Sequence, residues 1–356
     1  PSKEVPEFKL SVEKPIKSPI EKDVFGQEAE YLMMAYRFPG ANTRENDLAT
    51  MVDMILANSA AGLLDLNLNQ NQKVLASGSF VVTNKDYSAD VLYGNPREKQ
   101  KLEDVKELLL EQVEKVKKGE FPEWLPQAII NDLKLSDIKS QESNRSRAGN
   151  IVEAFVKDIP WEDEVNRIQR LEKITRQEII DFAQKNYKDN YVVVYKRTGE
   201  DKNVQKVEKP QITPVEVNRQ DRSQFLTEIS EMTTEEIQPV FVDYNNDMLV
   251  TSVKNDIPLL YKKNEENELF NLSIVFDIGS YNNKKLPLAA GYFEYLGTSK
   301  YSPSQLKEEF YKLGCSYSIS TGEDQTVLTL SGLNENFDKA FILLESVITD
   351  LKAENE

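Results

Sequence analysis

The chain has 356 residues with 44 Lys and Arg against 60 Asp and Glu, and its net charge of −16 argues against nucleic-acid phosphates as its main ligand. Its 39% hydrophobic and 29% charged residues suit a folded globular protein, and at roughly 150 residues per domain the length suggests about two domains. There is no histidine and one cysteine, Cys315, which excludes Ser-His and Cys-His nucleophiles, imidazole zinc sites and an internal disulfide. Carboxylate chemistry, Lys or Tyr bases and oxygen-ligated hard cations survive. No stretch approaches the roughly 20 apolar residues of a membrane span. The start, Pro1-Ser2-Lys3-Glu4, lacks the apolar run of a signal peptide. The chain therefore reads as a soluble piece of a longer protein, its compartment left open between periplasm and cytoplasm.

In chain order, residues 1–26 are rich in Pro, Lys and Glu without a period and read as an extended arm. Tyr31 to Phe38 is strand-like and is stopped by Pro39-Gly40, after which Leu48, Met51, Val52, Ile55 and Leu56 recur at helical spacing. Beyond the break at Asn58 to Gly62, Leu75 to Val82 and Asp90 to Tyr93 read as strands around Asn84-Lys85-Asp86. Leu102, Val105, Leu109, Val113 and Val116 form a helical stripe ending at Gly119, and Leu125, Ala128, Ile129 and Leu133 form a second. Trp161 to Leu171 reads as a short helix. Thr175-Arg176-Gln177-Glu178 is a capping box, and the strand Tyr191 to Tyr195 follows the helix it opens. These elements make a first domain, 27–198.

Residues 199–218 are polar and proline-punctuated and read as a linker to a second domain, 219–356. After a short helix at Ser223 to Met232 come four strand-like runs, Val240 to Tyr244, Met248 to Val253, Pro258 to Lys262 and Leu269 to Phe276, expected to build one antiparallel-rich sheet. Leu286 to Leu296 reads as a helix. Ser302-Pro303-Ser304-Gln305 is another capping box, and its helix, with Leu306, Phe310 and Leu313, stops at Gly314. Cys315 to Ser320 and Thr326 to Leu330 alternate as strands, and the stripe Phe337, Ala340, Phe341, Leu344, Val347 and Leu351 closes the chain. The expected class is α+β, two domains each with an antiparallel-rich sheet and helices on one face, the second truncated. Both halves repeat strand, helix, two strands around an acidic turn (Asp86, Asp324) and a long helix, which suggests duplication.

Few motifs carry chemistry. Asp243-Tyr244-Asn245-Asn246-Asp247 opens like a calcium loop, but Met248 and Lys254 stand where Gly and a bidentate Glu are needed, so it reads as a hairpin turn. Ser136 and Lys139 have Ser-x-x-Lys spacing without the accompanying elements, and read as an exposed helix face. Gly-rich phosphate loops are absent. The basic run Asn144-Arg145-Ser146-Arg147 reads as a charge complement to a helix C-terminus. Cys315, with no base nearby in sequence, reads as a small buried hydrophobe. No two carboxylates are singled out by spacing.

One resemblance does emerge. Gly279, Leu288-Ala289-Ala290, Gly297-Thr298, Ser302, Leu306, Leu313-Gly314, Asp324, Gly332-Leu333 and Leu343-Leu344 together resemble the insulinase/pitrilysin family of zinc metallopeptidases. Residues 29–198 are similar to that family's second, non-catalytic domain, through Gly62-Leu63-Leu64, Asp86-Tyr87-Ser88 and Thr175 to Tyr187. Active members carry His-x-x-Glu-His on the first helix of their first domain, two zinc ligands and a base. Counting back from Gly297-Thr298, the motif positions here fall on Leu288, Gly291 and Tyr292, so the helix is a degenerate copy with no catalytic residue and no metal ligand.

The resemblance implies a non-catalytic segment running from the family's second domain into its third, a wall of a peptide-holding chamber. Zinc would sit in a catalytic domain missing from this chain and joined in cis or in trans. The parent's peptide substrate would touch this chain through a sheet edge within Val240 to Phe276, and self-association would follow from exposed apolar faces. Two rivals stand beside this reading: a catalytically inactive relative serving as scaffold or partner subunit, and a stand-alone carboxylate enzyme.

Overall fold

The computed structural model describes residues 12–201, 207–214 and 219–353. Its first elements are β1 (Ile20–Gly26), β2 (Tyr31–Pro39), α1 (Arg44–Leu56), β3 (Ala76–Thr83), β4 (Tyr87–Asn95), α2 (Leu102–Lys118) and α3 (Leu125–Gln141). Then come α4 (Asn144–Lys157), α5 (Trp161–Val165), α6 (Arg167–Leu171), α7 (Arg176–Asn186) and β5 (Tyr191–Thr198). The five strands form one sheet in the order β1-β5-β2-β4-β3, antiparallel except for the parallel pair of β1 and β5.

Alternation explains the sheet's helix-covered face. Leu32, Met34, Tyr36 and Phe38 of β2 are buried, and the intervening residues point to the other side. Against them α1 packs Leu48, Met51, Val52, Ile55 and Leu56, and α2 packs the stripe Leu102, Val105, Leu109, Val113 and Val116. Each such fully buried aliphatic side chain contributes about 1.5–3 kcal/mol. At the β3 edge, the Asn69 side-chain amide takes both backbone groups of Ser77, donating Nδ2 to its carbonyl at 2.8 Å and accepting its N–H at 2.8 Å.

Three readings of this half change. The last seven residues of the supposed arm are strand β1. Two of its three residues on the helix side, Glu21 and Asp23, meet Lys106 and Arg197 and only Phe25 is apolar, so no apolar period announces it. The basic run Asn144 to Arg147 opens α4 instead of closing a helix, because the Ser143 side chain accepts the Ser146 N–H and caps it. Trp161 to Leu171 divides at Asn166 into α5 and α6.

The later elements are α8 (Gln224–Glu231), β6 (Leu249–Val253), β7 (Ile257–Tyr261), β8 (Leu269–Phe276), α9 (Leu286–Tyr292), β9 (Gly297–Thr298) and α10 (Pro303–Lys312). They end with β10 (Cys315–Thr321), β11 (Thr326–Leu333), α11 (Phe337–Thr349) and β12 (Leu351–Lys352). The four runs expected to make one sheet do not. Val240 to Tyr244 is no strand, β6 and β7 pair only with each other, and β8 joins the sheet β10-β11-β8. Asp243 to Asp247 is an exposed turn in which Asp243 accepts the N–H of Asn245 at 3.0 Å, without a strand before it to make a hairpin.

Packing divides the chain into residues 1–201 with 266–356, and residues 202–265 as a unit of their own. Part of the expected linker, 202–206 and 215–218, lies outside the described residues. In the larger unit α10 and α11 cover one face of the three-stranded sheet, packing Leu306, Phe310, Ala340 and Leu344 on Leu328 and Leu330 of β11. This subdomain rests on α3: Asn131 Nδ2 donates to the Lys312 carbonyl at 2.9 Å, and the Lys312 ammonium lies 4.4 Å from the Trp124 ring centroid. Tyr311, on the same helix, is buried in the core of the first sheet.

The two sheets share a plan. In each, a first strand (β2 or β8) lies beside the last of three (β4 or β11), which lies beside the middle one (β3 or β10), and a helix (α1 or α9) follows the first strand. Among the described residues no helix is long and apolar enough to cross a membrane.

Candidate functional site

The helix expected to hold the motif positions starts after Lys285 with Pro287 in its first turn, a place that tolerates the missing N–H. It ends at Tyr292 and passes into a 3-10 turn over Phe293–Tyr295, shorter than the helix expected to reach Leu296. The preceding turn is fixed by Gly279, where a Cβ would sit 2.2 Å from the Glu323 carbonyl oxygen, a contact open only to glycine.

No residue of α9 is buried. Leu288 is 77% exposed and Tyr292 54%, and nothing lies within 4 Å of a Cβ built on Gly291. Leu286 and Ala290 are half-buried, and Phe293, just past the helix, meets the Tyr317 ring edge-on at 6.1 Å. The three motif positions thus share one helix and present two apolar side chains and a bare backbone. An aliphatic group and a phenol supply neither a zinc ligand of the usual kind nor a carboxylate base. The contrast with α1, its counterpart in the plan, is sharp: α1 buries Met51, Val52, Ile55 and Leu56 against its own sheet.

The structure also brings together two carboxylates that spacing did not single out. Asp90 of β4 is completely buried, and its Oδ2 accepts the Tyr187 hydroxyl at 2.5 Å. Asp53 of α1 is 7% exposed, and Oδ1 of each carboxyl lacks a hydrogen-bond partner. Burial pushes the Asp53 carboxyl up to about 6. Burial, then the charge of Asp53, drives Asp90 well above the carboxylate range, against the Tyr187 hydrogen bond. Shut inside the core under the rings of Tyr36 and Tyr187, 4.6 Å apart, the pair cannot reach a substrate. The sequence offered one faint signal: Asp53 interrupts Met51-Val52 and Met54-Ile55, and Asp90 occupies an inward position between Ser88 and Leu92.

The remaining singled-out residues are unreactive. Cys315 is buried, and burial pushes its thiol up to about 11, which opposes nucleophilic use. Ser136 and Lys139 lie exposed on α3. Among the described residues no three His, Cys, Asp or Glu side chains gather where they could hold a metal ion.

Comparison with known proteins bears on this geometry. Residues 1–133 match the model of the peptidase M16 inactive domain, and residues 259–356, which include α9, match that of insulinase (peptidase family M16). The chain belongs to the insulinase (M16) family. Residues 1–133 correspond to the inactive domain of that family, and α9 falls within the peptidase-type match. No curated protein sequence matches the chain.

Among solved structures, a protease from Helicobacter pylori is similar at 16% identity and TM-score 0.51, over 55% of this chain and 48% of that one. Pitrilysin is similar at 10% identity and TM-score 0.52, over 97% of this chain and 39% of its own. The inactive peptidase domain of a zinc protease from Bordetella parapertussis, so described, gives 10% identity and TM-score 0.42 over 48% of this chain and 93% of that one. At these identities the likeness is one of fold. The chain spans less than half the length of the M16 proteases it resembles over most of its residues.

Proposed function

We propose that this chain is a non-catalytic segment of an insulinase-like zinc metallopeptidase and forms part of the wall of a peptide-holding chamber. One observation carries the reading: a peptidase-type helix in family context bears Leu288, Gly291 and Tyr292 at the motif positions and buries none of them. Zinc would be held by a catalytic domain outside this chain and would supply Lewis-acid chemistry there. This chain's part is to bound the space in which a peptide is held, through the edge of β8 and the neighbouring sheet surfaces, with no protonic chemistry of its own.

Calorimetry and a peptide-cleavage assay test this. The chain alone is expected to show neither stoichiometric zinc binding at neutral pH nor cleavage, and the parent polypeptide both. One tight zinc per chain that survives mutation of Cys315, or cleavage by the chain alone, overturns the reading. A parent that lacks its own zinc motif, with activity appearing only beside a separate active peptidase, identifies a partner subunit instead.

A further inference from the structure

The five-stranded sheet has helices on one face, and its other face is apolar. Register aligns Ile20, Val192, Ala35, Val91 and Phe80 side by side across all five strands. Met33 and Tyr93 are neighbours in the next row. Ile20 remains 42% exposed, and Met33 and Phe80 40% each. A contiguous apolar surface of this kind marks an interaction site.

Charge on this face is segregated. Its ionisable side chains of opposite sign are absent: strand parity puts Lys22, Arg37 and Lys196 here, and sends Glu21, Asp23 and Asp90 to the helix side. Lys196 is occupied by the carbonyls of Gly26 and Glu28. A cationic, apolar face is the reverse of what a net charge of −16 would place there at random.

The chain shows how this face takes an extended backbone. Where residues 13–14 approach it, the Tyr87 hydroxyl accepts the Glu13 N–H at 3.0 Å and Arg37 Nη2 donates to the Lys14 carbonyl at 2.7 Å. The Arg37 guanidinium lies 5.1 Å from the Tyr87 ring centroid, so the two side chains act as one clamp on peptide groups. Both contacts use main-chain atoms and leave side chains free to vary.

We propose that this open face binds an extended apolar and acidic peptide segment, with Ile20, Met33, Val91 and Phe80 as its floor and Lys22 as its charge contact. The proposal rests on the chamber-wall reading and names the surface and the peptide chemistry involved. An acidic segment is selected because every charged strand residue on the face is positive, although long-range attraction by the whole chain runs the other way.

The test is fluorescence anisotropy of the full chain with a labelled twelve-residue probe alternating Leu and Glu, and with a twin carrying Lys for Glu. The Glu probe is expected to bind saturably and the twin more weakly. Met33→Asp combined with Phe80→Asp should weaken the Glu probe at least about tenfold. Lys22→Glu, an exposed substitution that leaves the core untouched, should reverse the preference and decides the matter should the double variant misfold. Equal binding of both probes, or indifference to these changes, overturns the proposal. So does a dimer that the double variant converts to monomer without any probe binding, which assigns the face to a second copy. So does docking of the parent's catalytic domain there in place of the probe. Because the probe is read on this chain alone, its failure leaves the zinc and cleavage measurements on the parent to judge the chamber-wall reading separately.

Discussion

Asp53 and Asp90 are charges placed where water cannot follow. A carboxyl whose folded value is raised favours folding while it stays protonated, and that contribution is lost as pH rises from the unfolded value through the folded one. For Asp53 the window runs from its ordinary 3.8 to about 6. Above it the folded state carries a cost on the order of 3 kcal/mol for such a group. Asp90→Asn keeps an oxygen to accept the Tyr187 hydroxyl and removes the buried ionisable group that Asp53 repels. The variant is expected to be more stable than the parent chain at pH 7.5, with the advantage shrinking towards pH 4. Urea midpoints at both pH values measure this, and an advantage that does not change with pH would mean that packing, not protonation, sets the difference.

Among elements, helix ends were the most legible. Thr175 accepts the Glu178 N–H while Glu178 accepts the Thr175 N–H, and Ser302 with Gln305 does the same for α10, as the local sequence alone requires. Thr175→Ala should cost about 1 kcal/mol, read as a lowered thermal midpoint, since it leaves the Glu178 N–H without its side-chain cap. An unchanged midpoint would mean that water caps α7 equally well. Gly314 likewise stops α10 in the left-handed region at φ +57°, where glycine has no Cβ penalty. What the sequence concealed depends on distant partners. β1 is charged on the very face that packs, because Lys106 and Arg197 wait there on α2 and β5. Val240 to Tyr244 has strand composition but no neighbour to pair with, and composition without a partner makes no strand. The Asp53–Asp90 meeting is a matter of α1 lying on β4, visible only once the sheet is assembled. Leu288, Gly291 and Tyr292 come from spacing counted back from Gly297-Thr298, and the structure adds that all three lie on α9.

Across the whole molecule, one plan is used twice with opposite outcomes. The first copy buries its helix α1 and closes a large core; the second leaves α9 bare and leans on α3 through α10. The peptidase-type match covers the second copy. A sheet assembled in this way faces a further hazard in solution, fibre growth by strand pairing between copies. The Asn69 amide, seated on both Ser77 backbone groups, works as a chain terminator for that polymerisation: an incoming strand finds its first two hydrogen-bonding positions on β3 already taken. Asn69→Leu should therefore leave the monomer's spectrum intact in dilute solution yet bring concentration-dependent light scattering and thioflavin binding, and a variant that stays monodisperse at high concentration would show that β3 needs no such stop.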